Sequence, residues 1–250
     1  RSWLARSGMD LDRFLKPGPG REEVRRRWGV RSDDVLLGMV GRVHTGKGQD
    51  VIVRLAPEIL TDAPSVKIAI IGTGPLKDPL QEQVARAGLG DRVLFVGGIP
   101  VDEMPEAISA LDVLVHVSKR EGLARVIVQA LACGKPVISH ALDGSPEVIA
   151  DRANGRLIPP GDDNALRNAI AELARNPQLR DEWGAKGPAA VDPEFRAETM
   201  IEQIEAGYRD LLQHAGIGCS TSSGVRPFAE WLPALRETPV PQGSMSLGHS

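Results

Sequence analysis

The sequence predicts an α/β fold, a doubly wound, Rossmann-like parallel sheet, and two observations carry that prediction. Six short runs rich in β-branched residues recur at 35–40, 66–71, 93–96, 113–117, 137–139 and 156–158. They are nearly continuous in apolar character rather than alternating, as expected of parallel strands buried on both faces. Helix-period stretches separate them, near 49–61, 75–88, 102–110, 123–133 and 145–150. Such alternation builds βαβ units, and right-handed crossovers place helices on both faces of one sheet.

In chain order, residues 1–20 read as a linker, because Gly8 and the run Lys16-Pro17-Gly18-Pro19-Gly20 break regular structure. The main domain spans 21–192. It opens with a short helix at 21–28, with Val24 and Trp28 on one face and Arg21, Arg25, Arg26 and Arg27 as a solvated face or, as the second reading, a site for an anionic partner. Ser145 is expected to cap a helix that has Pro146 at its first position. After the last strand only helices follow. Asp162 or Asp163 caps one, Pro177 opens another, and a C-terminal helix at 193–216 carries Ile201, Ile204, Tyr208 and Leu211. Residues 217–250, rich in Ser, Pro and Gly, read as a disordered tail.

Composition narrows the function classes. Hydrophobic residues make up 42% and charged residues 25%, as in an ordinary globular protein, and 250 residues allow one large domain or two small ones. A formal net charge of -3 provides no basic field, so no nucleic-acid partner is expected. No apolar run reaches roughly 18 residues, so no transmembrane segment is expected. Cys133 and Cys219 form no disulfide framework, and Cys133 reads as a small core residue. No histidine or cysteine spacing suits a metal, so no metal site is expected. The location expected is the cytoplasm, or the periphery of the inner face of a membrane. The opening Arg1 reads as the start of a fragment or processed piece.

Ligands of open α/β sheets bind beyond the carboxyl ends of the strands. Two segments there carry chemistry. The loop Gly41-Arg42-Val43-His44-Thr45-Gly46-Lys47-Gly48 follows the first strand. Its glycines allow close backbone approach, Arg42 offers a planar donor fork for phosphate, and Lys47 a compact charge. Alone, it also suits a tight turn with two solvated cations. The second segment begins at Glu121-Gly122 after the fourth strand. Leu123, Val126, Ile127, Ala130 and Leu131 form a stripe packing on the sheet, with Arg125 and Gln129 on the polar face. A helix N-terminus at Gly122 would favour an anion. Glu121 at its mouth could accept from sugar hydroxyls, or simply complement the helix dipole. Gly72-Thr73-Gly74 lacks the third glycine of a dinucleotide fingerprint and follows the second strand, so NAD is not expected. Glu147 reads as a first-turn acid.

Taken in order, the segments G-R-x4-K-G (41–48), G-x-G-P-L (72–76), VLFVG (93–97), Glu121-Gly122, ALACGKPVI (130–138), GSPEVI (144–149) and NGRLIPPGD (154–162) resemble the C-terminal, donor-binding domain of GT-B glycosyltransferases, of family 4 or group 1. GMDLDRF (8–14) is similar to the segment joining the two domains there, and the resemblance covers about 8–214. It implies a nucleotide-diphosphate-sugar donor, such as a UDP- or GDP-sugar, and no other cofactor. It assigns Arg42 and Lys47 to the diphosphate and Glu121 to the donor sugar. These three are the candidate catalytic residues. Gly41, Gly122, and the amides near Leu123 and Ala124 would hold the donor, and the loop near Ile99 would face the base. The second glutamate of the family's E-x7-E motif, which binds ribose, is Gln129 here, a departure that loses the charge.

The implied reaction is transfer of the sugar, with retention, to an acceptor that is a lipid-linked glycan or a small molecule. Charge gathering on the leaving diphosphate would be stabilised by Arg42, Lys47 and the helix start, without a metal. Asp10-Leu11-Asp12 matches D-x-D only within the linker. The family's N-terminal acceptor domain is missing, so the chain alone is expected to be inactive. Two other readings stay open: a non-catalytic nucleotide-sugar-binding module, and a sugar-nucleotide epimerase of the same architecture.

Overall fold

The structure, a computed structural model, describes residues 4–214; the tail expected at 217–250 lies outside the described residues. The elements in order are α1 (Asp12–Leu15), α2 (Arg21–Arg27), β1 (Val35–Val40), α3 (Gln49–Asp62), β2 (Val66–Ile71), α4 (Lys77–Arg86), β3 (Val93–Gly97), α5 (Met104–Ser109), β4 (Val113–His116), α6 (Arg125–Ala132), β5 (Val137–His140), α7 (Ser145–Val148), β6 (Gly155–Ile158), α8 (Asp163–Arg175), α9 (Pro177–Lys186) and α10 (Ala197–His214). The six strands form one sheet in the order β3-β2-β1-β4-β5-β6, and every pairing is parallel. This is the doubly wound sheet expected.

Strand side chains alternate between two cores. β1 sends Val35, Leu37 and Met39 into one, with Ile52, Ile59 and Leu166 of α3 and α8. It sends Leu36 into the other, with Ile127 and Leu131 of α6 and Ile108 of α5. Both faces are thus covered, which is why the strands read as continuous apolar runs. Asp162 caps α8 by accepting the Ala165 amide at 2.8 Å.

Several local expectations need correction. Within 1–20, Met9, Leu11 and Phe14 are buried in the second core, and 12–15 are helical. Of the residues that suggested a linker, Gly8 precedes this anchored segment and the run 16–20 follows it. The arginines of α2 are not all a solvated face. Arg25 is only 6% exposed and donates to the carbonyls of Ala110, Arg31 and Asp34 and to Asp112. Arg21 also reaches Asp112, at 2.8 Å. Ser145 is the first residue of α7 rather than its cap, and its hydroxyl is buried 3.0 Å from that of Ser139.

The chain divides into two units, one of them Met9–Arg196, which holds the sheet. Residues 193–196, expected to open the C-terminal helix, belong there, and Phe195 is buried in the second core. In the other unit α10 exposes Tyr208 and Leu211, and the Gly8 amide lies 3.2 Å from Met200 Sδ. Among the described residues no helix is long and apolar enough to cross a membrane.

Candidate functional site

The strand order places β1 and β4 side by side while their crossovers run to opposite flanks of the sheet. Such a switch point opens a crevice at the carboxyl edge. The loop after β1 is braced from both sides. Gly41 and Val43 donate their amides to the carbonyls of Ile71, the last residue of β2, and of Thr73 just after it, each at 2.9 Å. On the other side the Lys119 amide and the Ser118 hydroxyl donate to Gly46 O, at 2.8 and 3.2 Å. Gly48 closes the loop with φ 88°, where a Cβ would stand 2.6 Å from Val117 O, so only glycine fits between this loop and β4. The buried Gln49, first residue of α3, donates to Arg42 O at 3.2 Å; its own Oε1 has no hydrogen-bond partner.

A cavity of about 450 Å³ lies at this switch point. It is lined by Met39, Val40 and Gly41 at the end of β1, by Gln49 and His116, and by Ala124, Arg125 and Val126 at the α6 start. Arg42, Lys47 and Glu121 all line it, so residues far apart in sequence meet. Lys47 Nζ lies 2.5 Å from Glu121 Oε2, with both side chains about one-third exposed (34% and 32%). His116 Nε2 lies 3.8 Å from the same carboxylate oxygen, is sequestered from solvent, and has no hydrogen-bond partner. Burial, partly opposed by the Glu121 charge, lowers the His116 pKa below its ordinary value, which keeps the ring neutral at pH 7.

Glu121 is held by the loop after β5. Asp143 Oδ2 accepts the Glu121 amide at 2.8 Å, and the Gly144 amide donates to Gly122 O at 2.8 Å. Asp143 adopts φ 51°, a left-handed conformation that aspartate tolerates better than most residues. A Cβ on Gly144 would stand 2.8 Å from that of Leu123, so this backbone contact requires glycine.

The remaining sequence candidates fall as follows. Ala124 lines the cavity, whereas Gly122, Leu123, Ile99 and Gln129 are not among its lining residues. Gln129 is half-buried along α6, and Ile99 packs against the second core. The helix N-terminus expected at Gly122 is instead at Arg125, with Ala124 as cap, because 121–123 are held in the Asp143–Gly144 contact. Val126 packs against the second core as expected and also lines the cavity, and Val128, not expected on the stripe, is buried as well. His116, Gln49, Arg125 and Asp143 were not singled out as site residues from the sequence. For His116 a signal was present: it ends a strand at the ligand edge. Among the described residues no cluster of three ligating side chains could hold a metal.

Fold and site together define a doubly wound domain with a cation-rimmed cavity at its switch point. The chain belongs to the glycosyl transferases group 1 family, whose model matches residues 20–190. It is 31% identical over 187 residues to a GDP-mannose-dependent alpha-(1-6)-phosphatidylinositol monomannoside mannosyltransferase of Mycolicibacterium smegmatis, covering 72% of this chain and 49% of that protein. It is 31% identical over 217 residues to the 2-deoxystreptamine N-acetyl-D-glucosaminyltransferase of Streptomyces fradiae, covering 86% and 49%. The chain thus spans about half the length of the curated relatives it matches. Among solved structures, Anabaena HepE in complex with UDP superposes with a TM-score of 0.72 at 28% identity, covering 81% of this chain and 56% of that one. Sucrose-phosphate synthase of Thermosynechococcus elongatus gives 0.73 at 30% identity, covering 85% and 53%. The fold is that of the C-terminal half of a GT-B glycosyltransferase.

Proposed function

We propose that this chain binds a nucleotide-diphosphate sugar in the β1/β4 cavity and is the donor-binding half of a retaining glycosyltransferase. The observation that carries the reading is the convergence of Arg42, Lys47 and Glu121 on one cavity at the switch point. Arg42 and Lys47 are the diphosphate cations, and Glu121 accepts from donor-sugar hydroxyls. In the reaction the bond between the anomeric carbon and the diphosphate oxygen breaks, and its electron pair stays on the diphosphate. The acceptor hydroxyl bonds to that carbon and passes its proton to the departing diphosphate oxygen. Fixed cations act where this negative charge grows, so they stabilise the transition state more than the ground state. No metal takes part in this scheme. The UDP complex of HepE and the GDP-mannose dependence in the Mycolicibacterium relative's name support a nucleotide-sugar donor. The acceptor is a lipid-linked glycan or a small molecule, and the other half of the cleft comes from an N-terminal domain.

The Lys47–Glu121 pair adds a quantitative expectation. Arg42→Ala removes one cation, worth about 1.5–3 kcal/mol as a hydrogen-bond donor to a charged group, or roughly tenfold or more in affinity. Lys47→Ala removes a cation and also leaves Glu121 unpaired beside the phosphates, so its loss is the greater. Calorimetric titration with UDP and GDP tests both. Affinity unchanged in both variants would take these residues, and the reading, out of the cavity.

A further inference from the structure

Within this cavity Lys47 is not a free cation. Its charge is matched by Glu121 at 2.5 Å. Two other cations line the same cavity, Arg42 and Arg125, and among the described residues neither guanidinium has a hydrogen-bond or ion-pair partner. Arg125 is also the first residue of α6, a helix with no acid in its first turn. That position is unfavourable for a cation, since the free N–H groups and the macrodipole already put partial positive charge there. Among the described residues no acid of the α6 first turn and no ion-pair partner of Arg125 offsets this. An anion in the cavity would.

We infer that Arg125 is a diphosphate-binding residue of the donor site, completing with Arg42 the charge that Lys47 shares with Glu121. The inference rests on the donor reading above. The diphosphate of a nucleotide sugar carries two negative charges. With Lys47 and Glu121 cancelling, Arg42 and Arg125 supply two positive ones, and without Arg125 the balance is one short. An arginine fork can also bond two phosphate oxygens at once while the adjacent α6 amides face the same anion.

The test is titration of UDP and GDP into the 250-residue chain and its Arg125→Ala and Arg125→Glu variants, with thermal melts of each ligand-free protein. Affinity for whichever diphosphate binds is expected to fall about tenfold in Arg125→Ala, and further in Arg125→Glu. The ligand-free melting temperature should hold or rise in the same order, because a cation leaves the helix N-terminus and then an anion replaces it. An arginine that merely supports the fold would give lower melting temperatures with affinity intact, and that result overturns the assignment. So does unchanged affinity in both variants. If the unaltered chain binds neither UDP nor GDP, the donor reading itself falls, and this assignment falls with it.

Discussion

At the scale of single residues, the site depends on how one carboxylate is held. Glu121 is paired with Lys47 through its side chain and anchored to Asp143 through its amide. Two substitutions separate the carboxylate of Asp143 from its backbone conformation. Asp143→Gly accepts the φ of 51° without strain but loses the acceptor; Asp143→Asn tolerates the same φ and keeps an acceptor oxygen. A neutral hydrogen bond contributes about 0.5–1.5 kcal/mol, so releasing the Glu121 amide is expected to cost up to roughly tenfold. That cost should appear in binding of a nucleotide sugar and not of the bare diphosphate, because Glu121 serves the sugar. Asp143→Asn should bind both as the unaltered chain does. Competition titrations of UDP-glucose against UDP, and GDP-mannose against GDP, read the difference.

At the scale of elements, α2 is fixed to the sheet by ions rather than by apolar area alone. Asp112, just before β4, accepts the Leu36 amide at 2.7 Å and pairs with Arg25 at 3.0 Å and Arg21 at 2.8 Å. Burial pushes its pKa up, but the Leu36 amide and the two guanidinium groups together hold it below the ordinary value. A carboxyl lowered on folding contributes stability above its unfolded value, near pH 4, and loses that contribution as pH falls through the lower folded value. Asp112→Ala strands the buried Arg25 and is expected to cost about 3–5 kcal/mol in denaturant unfolding at pH 7. Lys135, in the turn between α6 and β5, shows the opposite sign. Burial first, then the nearby Arg21, lower its pKa from 10.5 to about 8. Between those values the unfolded chain binds more protons, so stability rises with pH across that window. Lys135→Met should therefore raise the melting temperature at pH 7, by a free energy on the order of 3 kcal/mol, and by much less at pH 10.5.

At the scale of the whole molecule, the proposed function makes the cavity one wall of a cleft. The chain spans about half of its curated relatives, and the proposed acceptor side lies in the other half. The chain alone is expected to bind a donor but transfer no sugar at enzyme rates, because positioning both reactants supplies much of such a rate. Binding should persist in EDTA, since Arg42, Lys47, Arg125 and the α6 N-terminus supply the positive charge. Steady turnover by the isolated chain, or binding lost to EDTA and restored by Mg²⁺ or Mn²⁺, contradicts these expectations.

Hydrophobic periodicity by itself determined the strands, most helices and the doubly wound class, because a strand buried on both faces leaves a local signature of consecutive apolar residues. The ordered motifs identified the family, and with it Arg42, Lys47 and Glu121 as candidates. Only the tertiary structure decided which charges meet. Lys47 and Glu121 are 74 residues apart and touch because β1 and β4 are neighbours in the sheet, a pairing no local window contains. The same holds for Arg25, whose composition suggested a solvated helix face until packing placed Ala110, Arg31, Asp34 and Asp112 around it. It holds for Leu11 and Phe14, hidden in a segment whose glycines and prolines suggested a linker. Composition reports how easily a side chain can be solvated; whether it is solvated depends on groups brought to it from elsewhere in the chain.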